Sequence, residues 1–238
     1  MFLRSLAIQG SWNYRTMIGG GFAFALLPVL GTIYRGRPDA LHDALERHRQ
    51  IFNSHPYLVG VALGGVARLE SEGADPDVID RFKSAVRGSL GSLGDGLVWA
   101  GWRPVCAIAA LVLLYAGARW WVAVGTFIIV FNIGHFALRG WGFHVGYHHG
   151  LSVAGQLRRA HVTDASGVLS AIGAVLLGAL LPLLIASAPP DPATALPWLS
   201  AAVLACIVGL RWGNKVRTPS VIVLFGAALL ALVSRVLA

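Results

Sequence analysis

Asp95 is an acid set between Gly94 and Gly96, with apolar sequence on both sides. A carboxylate in such a place is expensive unless something pairs with it. Two readings fit. It accepts a hydrogen bond from a ligand hydroxyl, or marks the pivot of a moving part; or it pairs with Arg103 to stabilise a hairpin. Arg103 precedes Pro104 at the mouth of a long apolar run and fits either that internal pair or an arginine snorkelling to an interface. Gln9, Trp12 and Asn13 supply amides and an aromatic face, the groups that engage the hydroxyls and the C–H surface of a sugar ring. Trp12 equally suits an interfacial anchor, and Asn13 a helix cap. Asn53 and His55 stand before Pro56, where the chain must turn, and Asn53 also suits a local backbone hydrogen bond. Glu70 closes an apolar segment and faces either a pocket or solvent.

The histidines admit a different chemistry. His144, His148 and His149 form H-x-x-x-H-H, which puts His144 and His148 on one helical face, a plausible pair of metal ligands. A membrane metalloenzyme needs several such boxes at one membrane face. The remaining histidines, His42, His48, His55, His135 and His161, are scattered, and no H-E-x-x-H occurs. No metal and no other cofactor is expected. The Gly-rich run at 88–96 has no Gly-Lys-Ser/Thr after it and is not a phosphate-binding P-loop.

The elements that must hold these residues belong to a membrane protein. Of 238 residues 56% are hydrophobic and 13% charged, too little polar side chain to coat a soluble body of this size. The net charge of +8 is carried largely by arginines between apolar runs. That distribution follows the positive-inside rule rather than a nucleic-acid-binding surface, and no nucleic-acid partner is expected. Cys106 and Cys206 each lie inside an apolar run and read as packing residues, not a disulfide. Residues 1–13 lack the continuous apolar core and small-residue cleavage site of a secretory signal, so insertion is expected through later spans.

Polarity divides the chain at about residue 103. In the first part, residues 39–52 read as an amphipathic helix with Leu41, Leu45 and Phe52 near one face. Residues 57–69 are too short to span and read as a re-entrant or core helix. Asp75-Pro76-Asp77 is a helix start, a capping acid followed by proline at the first helical position. The four glycines among residues 88–96 predict a bent or hairpin segment. In the second part, residues 104–118, 120–138, 167–188, 198–210 and 220–238 are candidate spans, the first extending back through Trp99 if Arg103 is accommodated. The expected fold is all-α and polytopic: amphipathic and re-entrant helices in 1–103, then about four to five transmembrane helices in 104–238. The arginines of 139–161 and of 211–217 place those segments and residues 1–103 on the cytoplasmic side. Residues 187–197, with Asp191 and no Lys or Arg, and the C-terminus fall outside.

Several blocks resemble a known family. Ser11-Trp12-Asn13-Tyr14-Arg15-Thr16-Met17 followed by Gly21-Phe22, with Phe2-Leu3-Arg4-Ser5 and Gln9-Gly10 before it, is similar to the opening signature of IID subunits of mannose/fructose/sorbose phosphotransferase systems. His48 with Phe52-Asn53-Ser54-His55-Pro56 resembles the next block, and residues 88–104, with Gly94-Asp95, Trp99 and Arg103-Pro104, its Gly-rich block. Residues 142–150, centred on Gly146-Tyr147, and the span after Pro219 come next in order. The resemblance implies a multi-pass subunit of the bacterial inner membrane that assembles with a IIC subunit, binds a hexose and carries it inward. A soluble IIB protein, phosphorylated by IIA, then phosphorylates the sugar; IID supplies position and gating and performs no catalytic step of its own. Ser89 and Gly96 stand where the family usually has proline, which loosens the segment and leaves open a degenerate subunit with a structural or regulatory role. The alternative from another class is the metalloenzyme on the His144 cluster.

Overall fold

A computed structural model describes residues 1–159 and 162–187 of the chain. The described residues are helical, with no strand beyond isolated bridges at Asn13, Met17 and Phe52. The helices are α1 (Phe2–Ser5), α2 (Gly19–Ile33), α3 (Pro38–Arg49), α4 (Val59–Ser71), α5 (Pro76–Gly94), a π-helical segment (Asp95–Trp102), α6 (Arg103–Tyr115), α7 (Trp120–His149), α8 (Val153–Arg159) and α9 (Val162–Ala186). Cα packing divides the chain into two units, Met1–Ala179 and Leu180–Ala238; α1 to α8 and most of α9 belong to the first.

α4 is the centre of that first unit. Every residue from Val59 to Glu70 except Arg68 is buried, although the helix has only 13 residues. Its composition explains how: Gly60, Gly64 and Gly65 strip two faces to bare backbone, and neighbouring helices come in close. Against α7 the match is mutual, because Gly142 and Gly146 recur at the same four-residue spacing. A Cβ on Gly60 would sit 2.8 Å from the carbonyl oxygen of Arg139, and one on Gly64 2.8 Å from the amide nitrogen of Tyr147. A Cβ on Gly142 would meet Val61, and one on Gly146 would overlap the Val61 carbonyl. This is the small-xxx-small solution for helices that gain no hydrophobic drive from water. On its other side Gly65 admits the Phe82 ring of α5, and Phe22, Leu26 and Leu30 of α2 join Phe52 and Ile79 in the same buried cluster.

The amphipathic helix expected at 39–52 is α3, and the short segment at 57–69 is α4. Asp75 caps α5 as expected, its Oδ1 accepting from the Asp77 amide at 2.8 Å. The Gly-rich run corrects the hairpin expectation: residues 88–96 are helical, and α5, the π segment and α6 form one 40-residue helix, Pro76–Tyr115. The physical reason is tertiary. Each interior glycine costs about 1 kcal/mol in helix propensity, but here two of them are required by packing. A side chain at Gly94 would strike the His55 ring, and one at Gly101 would crowd Leu169 of α9.

A second correction concerns Arg139, expected in a cytoplasmic loop. α7 continues past it to His149, and with the short helix after it forms a second long apolar stretch, Trp120–Leu157. Two described helices are therefore long and apolar enough to cross a membrane. Tyr115, Trp120 and Trp121 are exposed beside Arg119 at the turn joining them, the composition of a membrane–water interface. α9 occupies the span expected at 167–188. The spans expected at 198–210 and 220–238, the outer loop with Asp191, Cys206, the basic segment at 211–217 and the Pro219 block lie outside the described residues.

Replacing Gly146 by leucine should destabilise the chain by roughly 1–3 kcal/mol or more, because neither helix backbone can retreat. Gly125→Ala, where a Cβ meets nothing within 4 Å, should be neutral or stabilising by up to about 1 kcal/mol. Thermal unfolding of both variants in one detergent checks the contrast.

Candidate functional site

Two polar centres lie at opposite ends of α4. The first surrounds Glu70 in its last turn. The carboxylate is buried, so it is not solvated as one reading of the sequence had it. Its Oε2 accepts from the Tyr34 hydroxyl at 2.5 Å, and its Oε1 accepts from Arg47 Nη2 at 2.6 Å and meets His48 Nε2 at 2.7 Å. Lys83 Nζ donates to the Arg47 carbonyl at 2.8 Å and reaches Asp80 at 3.2 Å. The residue capping α2 and two side chains of α3 thus converge on one acid of α4, and Lys83 of α5 ties to the α3 backbone beside them. Burial alone would raise the Glu70 carboxyl, but the bonds from His48, Tyr34 and Arg47 outweigh it and hold it at about 2. Burial lowers the His48 imidazole, so a neutral ring donates from Nε2 and its Nδ1 stays unpaired.

The second centre stands before the first turn of α4. His55 is 2% exposed, with no partner for Nε2. Its ring lies 5.0 Å from Trp99 and 5.4 Å from Tyr57, which in turn stacks on His135 of α7 at 4.0 Å. Below them Arg139 is 2% exposed yet meets no carboxylate among the described residues. Its Nη1 donates to the Ser5 carbonyl at 2.7 Å and to Ser5 Oγ at 2.9 Å, and its Nε to His135 at 3.2 Å. The guanidinium thereby pins α1 to α7. A cavity of about 190 Å³ opens beside this centre, lined by Tyr57, Val98, Trp102, His135, Leu138 and Leu169 among others. Burial pushes the His55 imidazole down to about 4, against the nearby charge of Asp95, which works to raise it. The centre offers a neutral imidazole, aromatic faces and one buried cation. Groups of these types are suited to binding and orienting a ligand rather than to nucleophilic attack.

The residues singled out in the sequence divide between these places. Glu70 is the hub of the first centre. Asp95 begins the π segment and lies near the second, but its side chain is exposed, and no ion pair joins it to Arg103. Arg103 instead lies over the Trp99 ring at 5.0 Å and is exposed. Asn13 organises its own turn: Oδ1 accepts from the amides of Arg15 and Thr16, and Nδ2 donates to Thr16 Oγ1 at 2.9 Å. Trp12 packs edge-on against Tyr14, and Gln9, Trp12 and Asn53 are exposed, away from both centres. Tyr34, Arg47, His48, Tyr57, His135 and Arg139 were not anticipated. Arg139 carried a signal in its position, an arginine four residues after a histidine within a long apolar run, which by itself marks a functional or pinned site.

The metal reading depends on His144 and His148, whose rings lie 4.3 Å apart on the exposed side of α7. Among the described residues no third donor joins them.

Removing the acid of the first centre should be severe. Glu70→Ala leaves Arg47 and His48 partly or wholly buried without their acid, and the chain should lose about 3–5 kcal/mol of stability; chemical denaturation in detergent checks this. The pH dependence has a fixed sign, because both folded-state values lie below the ordinary ones. As pH falls from 6.5 to about 4 the unfolded chain protonates His55 before the folded one does, removing up to about 3 kcal/mol. From 4.5 to about 2 Glu70 acts in the same direction. The unfolding midpoint should therefore drop steadily below pH 6.5, and His55→Phe should flatten the upper part of that slope.

Comparison with known proteins agrees with this architecture. Residues 1–190 match the family described as PTS system mannose/fructose/sorbose family IID component. The mannose-specific EIID component of Escherichia coli strain K12 is 30% identical over 186 residues, covering 76% of this chain and 65% of the relative, so the chain matches just under two thirds of that protein's length. A cryo-EM structure of the mannose transporter ManYZ with microcin E492 contains a chain that superposes with a TM-score of 0.60 at 26% identity, over 97% of this chain and 92% of that one. A second membrane-protein structure superposes at 0.70, also at 26% identity, over 97% and 93%. The chain belongs to the IID component family of the mannose/fructose/sorbose phosphotransferase systems.

Proposed function

We propose that this chain is the IID membrane subunit of a phosphoenolpyruvate-dependent sugar transporter, pairing with a IIC subunit to bind a mannose-type hexose and carry it inward. A phosphorylated IIB protein then phosphorylates the sugar at the cytoplasmic mouth. The chain crosses the bacterial inner membrane several times, and the Gly-rich stretch of the N-terminal part lies within the bilayer or at its cytoplasmic lip. It performs no acid–base or nucleophilic step; proximity of the sugar hydroxyl to phosphohistidine on IIB supplies the acceleration. The observation that carries this reading is the family match over residues 1–190 together with the aromatic and imidazole centre beside the π-helical segment of a long membrane helix, since π-helical segments often mark functional sites.

Within that reading the sequence candidates separate. Asp95 and Trp99 are the substrate-facing pair, an acceptor for a hydroxyl and a face for the ring, and the π segment beneath them is where the long helix gives way as the transporter alternates. Arg103 gates beside them. Gln9, Trp12, Asn13 and Asn53 bind at the rim of the path. Glu70 acts from behind as the anchor of α4. The metalloenzyme alternative has only two histidines at 4.3 Å in its support and is not favoured.

Membrane vesicles carrying this chain, a IIC subunit and phosphorylated IIB should phosphorylate mannose-type hexoses. Asp95→Asn should lower that rate by roughly tenfold or more while leaving the complex assembled. Full activity of Asp95→Asn would remove the substrate role. No phosphorylation by any reconstituted combination would leave a structural or regulatory subunit as the better reading.

A further inference from the structure

The long helix Pro76–Tyr115 has an unusual outer face. Between residues 89 and 106 its buried positions are Leu90, Gly94, Val98, Gly101, Val105 and Cys106. Its exposed ones over the same stretch are Ser89, Ser92, Asp95, Ala100 and Arg103: small, polar or charged. Two turns further on, the exposed residues are Leu111 and Leu114. A helix surrounded by lipid presents apolar side chains outward, as α7 does with Ile128, Ile129, Ile133 and Phe136. The face at 89–103 does the reverse.

Its depth follows from the packing. Trp102 Nε1 donates to the Phe131 carbonyl at 3.3 Å, and a Cβ on Gly134 would lie 2.6 Å from the Trp102 ring. Arg103 is therefore level with residues 131–134 of α7. The lipid-type surface of α7 extends past that level, since Phe136 is also exposed. From the aromatic belt at Tyr115 the 13 residues of α6 reach about 20 Å into a core ~30 Å thick. Arg103 thus sits inside the apolar layer. Its guanidinium leans on Trp99 and meets no acid among the described residues. A cation so placed is costly unless protein covers and pairs it.

Building on the assembly proposed above, we infer that the Ser92–Ala100–Arg103 face is covered by a membrane helix of the IIC partner, which brings a carboxylate to Arg103 and small or hydrogen-bonding residues against Ser92 and Ala100, while Asp95 stays open to the sugar. The small side chains permit a close helix–helix approach, and the Arg103 charge fixes register along it.

The test uses the full chain co-expressed with a IIC subunit. A photo-cross-linking amino acid replaces Ala100 in one sample and Ile129, on the lipid-type surface of α7, in another. The position-100 probe should capture IIC and the position-129 probe should capture lipid. Arg103→Glu should reduce co-purifying IIC by roughly tenfold or more, with Arg103→Lys in between. Capture only of lipid, of a second copy of this chain, or of another part of the same chain from position 100 would overturn the inference, as would an unchanged IIC yield with Arg103→Glu; in either case co-purification of IIC with the unaltered chain would leave the proposed function standing. Failure of the unaltered chain to retain any IIC would overturn both.

Discussion

The contact on which the described fold depends is the crossing of α4 and α7 at bare backbone. Membrane helices gain nothing by moving from lipid to each other unless they pack more closely than lipid allows. Gly60 and Gly64 on one side and Gly142 and Gly146 on the other permit that distance. Everything else is arranged round it. α4 is too short to cross a bilayer, yet it is almost wholly buried, because α2, α5 and α7 close over the faces its glycines leave open.

The two ends of α4 are finished differently. At its C-terminal end an anion is fully matched: Glu70 receives a hydroxyl, a guanidinium and an imidazole, and those groups come from segments that would otherwise have no directional tie to α4. A buried ion of this kind adds little net stability over an apolar core, but losing one partner is severe. It fixes which helix sits where. Buried nitrogens without a partner remain at both ends, Arg47 Nε and His48 Nδ1 at this one and His55 Nε2 at the other. At the N-terminal end Arg139 is satisfied by Ser5 rather than by an acid. What distinguishes the N-terminal end is the cavity and the π-helical segment beside it, features suited to holding a ligand.

Much of this was legible in the sequence where local chemistry decides the outcome. The Asp75-Pro76 start of α5, the amphipathic α3 and the membrane character of the long helices come from capping, periodicity and hydropathy. The Gly-rich stretch misled because propensity was read without packing: Gly94, which would weaken an isolated helix, is the residue that lets His55 approach this one. Arg139 misled because a positive charge after an apolar run resembles a loop, and only tertiary contact reveals that Ser5 receives it. Glu70 could be flagged but not placed, since Tyr34, Arg47 and His48 are brought to it by the fold of α2 and α3. Asp95 and Arg103 stand on one long helix instead of in a hairpin, and without the mutual ion pair that one reading supposed.

Backbone hydrogen exchange in nanodiscs tests the central role of the α4–α7 crossing most directly. Amides of Val61–Leu69 and of Gly142–Gly146 should exchange together and slowest in the unit, more slowly than those of α3. Exchange of α4 as fast as α3, while α7 stays protected, would contradict the account, because α4 would then be a loosely held insert and not the element round which both polar centres are built.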